Sequence, residues 1–276
     1  PRTEATDSLA AFLGRHARLA VLTGAGCSTA SGIPDYRDDA GNWKQRQPIQ
    51  FAEFMTRSEV RRRYWAQSFH GWSRIAKARP NGAHAALATL EAAGRVAGLI
   101  TQNVDNLHRA AGSRNVIDLH GVLHSTRCMQ CDCRGSRQDF QHRLENLNPD
   151  WRTSVTSFGP DGDATLAAEH FEKFTIPECL HCGGIVKPDV VFFGESVPAE
   201  RVALARQLVQ ESDALLVAGT SLMVFSGFRF ARLAAECGKP IAILNRGKTR
   251  ADEIASHRFS GDCSSLLELG VAALAA

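Results

Sequence analysis

Five short apolar runs punctuate the chain: RLAVLT (18–23), VAGLIT (96–101), VIDL (116–119), ALLVAGT (214–220) and PIAILN (240–245). Each is apolar almost throughout and does not alternate with polar positions, as in parallel strands covered on both faces. Between or beside them, at 5–16, 103–112, 198–211, 226–237 and 264–274, apolar residues recur with helical spacing. Strands alternating with helices predict an α/β fold built on a doubly wound parallel sheet, a Rossmann-like domain. Two stretches break the rhythm. Residues 40–90 are rich in Arg and aromatic residues such as Trp43, Phe54, Trp65 and Trp72, and predict a helical insertion. Residues 124–187 hold paired cysteines around a polar middle and predict a second insertion. The expected organisation is a Rossmann-like domain from 1–39, 91–123 and 188–276, with the insertions 40–90 and 124–187 forming a smaller domain.

Composition narrows the class without changing that picture. A chain of 276 residues with 44% apolar and 22% charged residues has the material for a sizeable core. A net charge of +3 gives no reason to expect nucleic acid as a partner. No apolar run approaches the roughly 18–20 residues that span a bilayer, so no membrane partner is expected. The stretch PRTEATDSLAAFLGRHARLAV lacks the basic start, apolar middle and cleavage site of a secretory signal. The expectation is a cytoplasmic monomer, or a mitochondrial matrix protein if the source is eukaryotic.

The eight cysteines form no disulfide-like ladder. Four lie in two Cys-x-x-Cys pairs, Cys128 with Cys131 and Cys179 with Cys182. A two-residue gap lets both thiolates of a pair point at one ion, and two pairs complete a tetrahedron around one structural Zn2+ with no open position. The 47 residues between the pairs exceed the spacer of a compact zinc ribbon, so this module carries its own loop. Cys133 competes as a ligand, and redox-active or unpaired thiols remain the alternative.

The strand ends carry the other chemistry. GAGCSTASGIPDYRD (24–38) follows the first run with two glycines, Gly24 and Gly26, but Thr29 stands where a dinucleotide fingerprint has its third glycine. TQNVD puts Gln102, Asn103 and Asp105 at the carboxyl end of the second strand, the edge where open parallel sheets bind ligands. These side chains suit ribose hydroxyls and a carboxamide, or simply cap a helix. VIDLHG places His120 at another strand end, as a proton acceptor near neutral pH or as a packed histidine. VAGTS offers Gly219, Thr220 and Ser221, and ILNRG offers Asn245, Arg246 and Gly247. Cys27 reads as packing, at a probable helix start, and RRRY (61–64) as a solvated helix face.

Together GAGCSTASGIPDYRD, TQNVDNLH, IDLHG, the cysteine quartet, KPDVVFFGE, GTS and ILNRG resemble the sirtuin family of NAD-dependent protein-lysine deacylases, and the spelling GIPDYRDDAGNWK looks most like its class II branch. The motifs run in family order from Gly24 to Cys263. The resemblance implies that NAD+ is a co-substrate bound by the Rossmann-like domain, and that 124–187 is a zinc-binding insertion. It implies that Gly24, Ala25, Gly26 and Thr29 receive the diphosphate, while Asp35, Tyr36 and Arg37 fold over the nicotinamide. Gln102, Asn103 and Asp105 would line the nicotinamide–ribose pocket, with Asn103 and Asp105 counted among the catalytic residues. Gly219, Thr220, Ser221, Asn245, Arg246, Gly247 and Cys263 would surround the adenosine. His120 would be the general base. Val190, Phe192 and Gly194, facing the loop 222–226, would take an acyl-lysine protein or peptide as an added strand. The products implied are nicotinamide, free lysine and O-acyl-ADP-ribose. The alternative use of the same site is ADP-ribosyl transfer to protein.

Family members that remove succinyl or malonyl carry a Tyr-x-x-Arg pair in the helical insertion. Aligning Tyr64 there puts Gln67 in place of the Arg, and a neutral amide lacks the bidentate charged grip on a carboxylate. The expected acyl group is therefore acetyl or a larger neutral one, with 145–170 reaching the acyl channel.

Overall fold

The computed structural model describes residues 4–44, 48–151, 154–159, 163–166 and 171–274. Helix α1 (Glu4–Arg15) leads into strand β1 (Leu19–Thr23). Two 3-10 turns, Ala25–Cys27 and Thr29–Ser31, follow where a dinucleotide fold would start an α-helix, so the helix start expected at Cys27 is replaced by a tighter turn. Helices α2 (Phe51–Thr56), α3 (Ser58–Lys77) and α4 (Gly82–Ala92) precede β2 (Val96–Thr101), the one-turn α5 (Leu107–Ala110) and β3 (Val116–Asp118). Next come β4 (Gly121–Cys128), β5 (Arg134–Ser136), α6 (Arg137–Leu147), β6 (Val155–Phe158), β7 (Ala164–Leu166) and β8 (Val186–Val190). The rest alternates: α7 (Ala199–Glu211), β9 (Ala214–Ala218), α8 (Phe225–Glu236), β10 (Ile241–Leu244), β11 (His257–Phe259) and α9 (Cys263–Leu274).

Six strands form one parallel sheet in the order β11-β10-β9-β1-β2-β3. The chain runs outward from β1 in both directions, so a crevice opens between β1 and β9 at their carboxyl ends. Every residue of β1, β9 and β10 is buried, which explains why those runs carry no polar alternation. Leu9, Leu13, Leu87 and Leu267 from α1, α4 and α9 cover one face. Ala205, Phe230 and Ala234 from α7 and α8 cover the other.

A third core joins the two atypical stretches. Phe54, Tyr64, Trp65 and Trp72 of α2 and α3 pack with Phe140 and Leu144 of α6, and with Phe174 and Val186. Trp65 is fully buried and donates from Nε1 to the Val186 carbonyl at 3.3 Å. Arg137, 1% exposed, lies over the Trp72 ring at 4.9 Å and donates to the Ser68 carbonyl and Gln141. RRRY is not simply a solvated face: Tyr64 sits in this core, and Arg61 donates to the Phe54 and Met55 carbonyls at the end of α2. Helix α4 packs instead on the parallel sheet, started by a capping box in which Asn81 accepts from Ala83 N–H and His84 Nδ1 accepts from Asn81 N–H. The antiparallel sheet β5-β4-β8 ties this core to the main sheet, because β4 starts immediately after His120. Among the described residues, no helix is long and apolar enough to cross a membrane.

Candidate active site

The carboxyl ends of β1, β2, β9 and β10 open on a cavity of about 510 Å³. Parallel strands bring their ends to one edge, so runs distant in sequence meet there. Its floor is Gly24, Ala25 and Gly26 after β1, Gly219, Thr220 and Ser221 after β9, and Asn245, Arg246 and Gly247 after β10, with Cys263 at the start of α9. The two glycine turns interlock. Gly26 N–H donates to the Gly219 carbonyl at 2.8 Å, and Gly219 has φ +63° with its α-carbon against the Cys27 amide, where a Cβ would collide. Thr29 also lines the cavity and donates to the Gly26 carbonyl at 3.0 Å. Beneath the turn, the Cys263 thiol and then burial push the Cys27 thiol well above its ordinary pKa, which leaves it a packing residue.

A short flap covers part of the opening. Asp35 pairs with Lys44 at 2.5 Å, the Arg37 guanidinium lies 4.0 Å over the Trp43 ring, and Lys44 N–H donates to the Tyr36 carbonyl. Tyr36 and Phe193 both meet Trp43 edge-on, at 6.0 and 5.7 Å, which pins the flap to the opposite wall.

The polar wall comes from the end of β2. Gln102 Nε2 donates to Thr220 Oγ1 at 3.0 Å and to the Thr23 carbonyl. Asn103 Nδ2 donates to the Gly24 carbonyl and to Ser28 Oγ, both at 3.0 Å. Ser28 in turn donates to Asp105 Oδ2 at 2.7 Å, and His84 Nε2 stands 3.5 Å from the same hydroxyl. His84 Nδ1 already accepts the Asn81 amide, so Nε2 carries the proton and donates. Asp105 is the one sequence-predicted site residue of the sheet edge that does not line the cavity; it lies buried behind Asn103. Ser28 and His84 were not anticipated. Ser28 follows Gly26 by two residues, but His84 carries no local signal because its role depends on a contact across 56 positions.

His120 stands where β3 ends and β4 begins. Its Nδ1 is 3.0 Å from the Gln102 carbonyl, which can only accept, so Nδ1 carries the proton and Nε2 the lone pair. Nε2 accepts from Ser226 Oγ at 2.9 Å. Burial, against the help of the Gln102 carbonyl, lowers the pKa of His120 to about 4. The ring is therefore neutral at neutral pH, with its Nε2 lone pair available to a hydroxyl donor.

Beyond His120 the cavity lining turns apolar: Ile49, Tyr64, Val104 and Leu123 join Val190 and Phe192, all members of the third core or packed against it. Gly194 lies on the same rim. Gln67 is half-buried and does not line the cavity, whereas Tyr64 does, so the acyl-end position expected for it from the sequence is not the one it takes. Nor does any described residue of 145–170 line the cavity; β7 packs on α3 instead, and residues 152–153, 160–162 and 167–170 lie outside the described ones.

The four paired cysteines converge. Their sulfur atoms all lie within 4.8 Å of one another, with Cys128–Cys182 at 3.5 Å and Cys131–Cys179 at 3.7 Å. A tetrahedral zinc with Zn–S near 2.3 Å needs sulfurs about 3.8 Å apart, so the set fits that ion. Cys133 is outside the cluster: its thiol is exposed, while its carbonyl accepts from Cys128 N–H.

The chain is similar to known proteins over nearly its whole length. An NAD-dependent protein deacetylase of Bordetella bronchiseptica is 55% identical over 261 residues, 95% of each chain. The NAD-dependent protein deacylase Sirt4 of Drosophila melanogaster is 45% identical over 259 residues, 93% of this chain and 83% of that one. A Sir2 protein solved with deacetylated p53 peptide and 3'-O-acetyl ADP-ribose superposes with a TM-score of 0.76 at 28% identity, covering 95% of both chains. The model of the Sir2 family matches residues 24–226, and with that match over most of its length the chain belongs to the Sir2 family.

Proposed function

We propose that this protein removes acetyl or larger neutral acyl groups from protein lysines at the expense of NAD+, with one structural zinc holding the cysteine module. The observation that carries the reading is the neutral imidazole of His120, its Nε2 lone pair facing a cavity floored by two interlocked glycine turns. Gly24, Ala25, Gly26 and Thr29 would hold the diphosphate, and Gly219, Thr220, Ser221, Asn245, Arg246, Gly247 and Cys263 the adenosine. Asp35, Tyr36 and Arg37 would close over the nicotinamide. Gln102 and Asn103 would contact the nicotinamide and its ribose, with Asp105 holding Asn103 through Ser28. When bound, the dinucleotide supplies an electrophilic ribose carbon that the acyl amide oxygen attacks as nicotinamide departs. His120 Nε2 would accept the proton of a ribose hydroxyl as that oxygen bonds the acyl carbon, and addition of water there would break its bond to the lysine nitrogen, giving free lysine and O-acyl-ADP-ribose.

The substrate peptide would run between residues 190–194 and 222–226, adding a strand. Neutral acyl groups fit the apolar lining from Ile49, Tyr64, Leu123 and Phe192 better than a carboxylate does. Acetyl, octanoyl, lipoyl and succinyl peptides, incubated with NAD+ and read by mass spectrometry, test both statements. Neutral chains should be removed fastest with O-acyl-ADP-ribose as product. Fastest turnover of succinyl would overturn the acyl assignment, and label from NAD+ retained on protein would mean ADP-ribosyl transfer instead.

A further inference from the structure

Across Glu195, Val197 and Ser226, the main cavity adjoins a second hollow between α7 and the first turn of α8. Two cations stand on its walls, Arg206 from α7 and Arg229 from α8. Among the described residues neither has an ion-pair partner, and Arg229 Nε is buried without a hydrogen bond. The carboxylate on the walls, Glu195, is already committed. Its Oε2 accepts from Lys187 Nζ at 3.0 Å and from Phe192 N–H at 2.8 Å. Further guanidinium groups lie nearby: Arg229, Arg232 and Arg250 gather round the Phe225 ring at 5.3, 5.4 and 5.8 Å, with Arg232 paired to Glu236 at 3.3 Å. Phe225 itself is 44% exposed, between Val224 and Ser226, which line the main cavity.

A buried guanidinium nitrogen without an acceptor is costly, and a carboxylate meets its planar fork with two parallel hydrogen bonds. We propose that this hollow is a subsite for an acidic side chain of the substrate, carried by the same peptide close to the acyl-lysine. The inference rests on the deacylase reading, since the peptide would pass between Glu195 and Ser226, residues shared by both hollows. Extended chain advances about 3.3 Å per residue, so an Asp or Glu one to three positions from the lysine comes within reach. Charge complementarity at such a site acts on binding, so the preference should appear mostly in KM.

The test is a set of acetyl-lysine peptides that differ only in one Glu, walked from three residues before the lysine to three after it, with an all-Gln parent. Steady-state kcat/KM with NAD+ should rise about tenfold over the parent at one or two positions and fall back in 0.5 M salt. The double variant Arg206→Glu with Arg229→Glu should reverse the preference toward Lys at those positions while the all-Gln parent is turned over as before. Arg206 is exposed on α7, so Arg206→Glu alone gives a folded variant in which the preference should shrink at least threefold. Equal rates for Glu and Gln peptides at every position, or a preference that survives both variants, would overturn the subsite. Loss of turnover for the all-Gln parent in the native protein would instead remove the deacylase reading, so the two failures are separable.

Discussion

The hydroxyl of Ser226 donates to the Nε2 of His120 across 2.9 Å, and so occupies the lone pair that a reacting hydroxyl would need. The Gln102 carbonyl fixes the other ring nitrogen as a donor, so the imidazole cannot flip its tautomer to escape. In the proposed deacylation a ribose hydroxyl would have to take the place of Ser226. As a placeholder, the serine is dispensable for proton transfer. Ser226→Ala should keep kcat/KM for acetyl-lysine peptide within about threefold. His120→Ala should lose at least about 100-fold while still binding NAD+, the scale of a lost general base. A loss in Ser226→Ala that matches the loss in His120→Ala would show that the proton leaves through the serine.

Behind the cavity wall, Ser28 uses its full hydrogen-bonding capacity, giving to Asp105 and receiving from Asn103 and His84. Ser28→Ala strands a buried carboxylate oxygen and two donors. Stability should fall by roughly 1–3 kcal/mol, visible as a drop of several degrees in Tm by calorimetry. Because Ser28 and Asp105 act as a unit, the double variant Ser28→Ala with Asp105→Asn should cost less than the sum of the singles. Strict additivity would argue that the contact carries no coupling.

The central strands were legible because burial on both faces removes polar alternation. VAGLIT spans the same residues as β2, and RLAVLT overshoots β1 by one. Convergence of the strand ends followed from the parallel order. What the chain hid were features made by distant partners. Strand β11, HRF, is short and polar and exists by pairing with β10. His84 joins the site only because the capping box of α4 turns its Nε2 toward Ser28. Position along the chain places helix α4 in the insertion 40–90, yet its apolar face, Ala83, Ala86, Leu87 and Leu90, belongs to the sheet core. Periodicity shows that a helix has an apolar face and does not say which core that face joins.

The cysteine quartet provides a test independent of catalysis. Structural zinc contributes binding free energy on the order of 10 kcal/mol to the fold it closes. Cys128→Ala removes a buried ligand and should abolish stoichiometric zinc by atomic absorption, with a lower Tm. Cys133→Ala should retain one zinc per chain, since that thiol stands apart from the other four. Full zinc content in Cys128→Ala, or its loss in Cys133→Ala, would mean a different ligand set.

Acid should unfold this protein earlier than its carboxylates alone would dictate. Burial lowers the pKa of His84, of His108 and of His120, and His124 shifts the same way. In the unfolded chain these rings titrate near 6.5, so below that pH the unfolded state binds protons that the folded state refuses. The stabilisation is thus complete above about pH 6.5 and drains away toward pH 4, by up to about 1.4 kcal/mol per pH unit for each of the buried rings His84, His108 and His120, and by less for the partly exposed His124. Asp118, raised by burial, acts in the opposite sense at the lower end of that window. His108 is the clearest case, because its Nε2 bonds Thr23 Oγ1 at 2.9 Å while its buried Nδ1 has no partner to hold a proton. His108→Gln keeps an amide able to reach Thr23 but cannot titrate. Its Tm should fall less steeply than that of the native protein between pH 7.5 and 5.5, and identical slopes would remove His108 from the acid response.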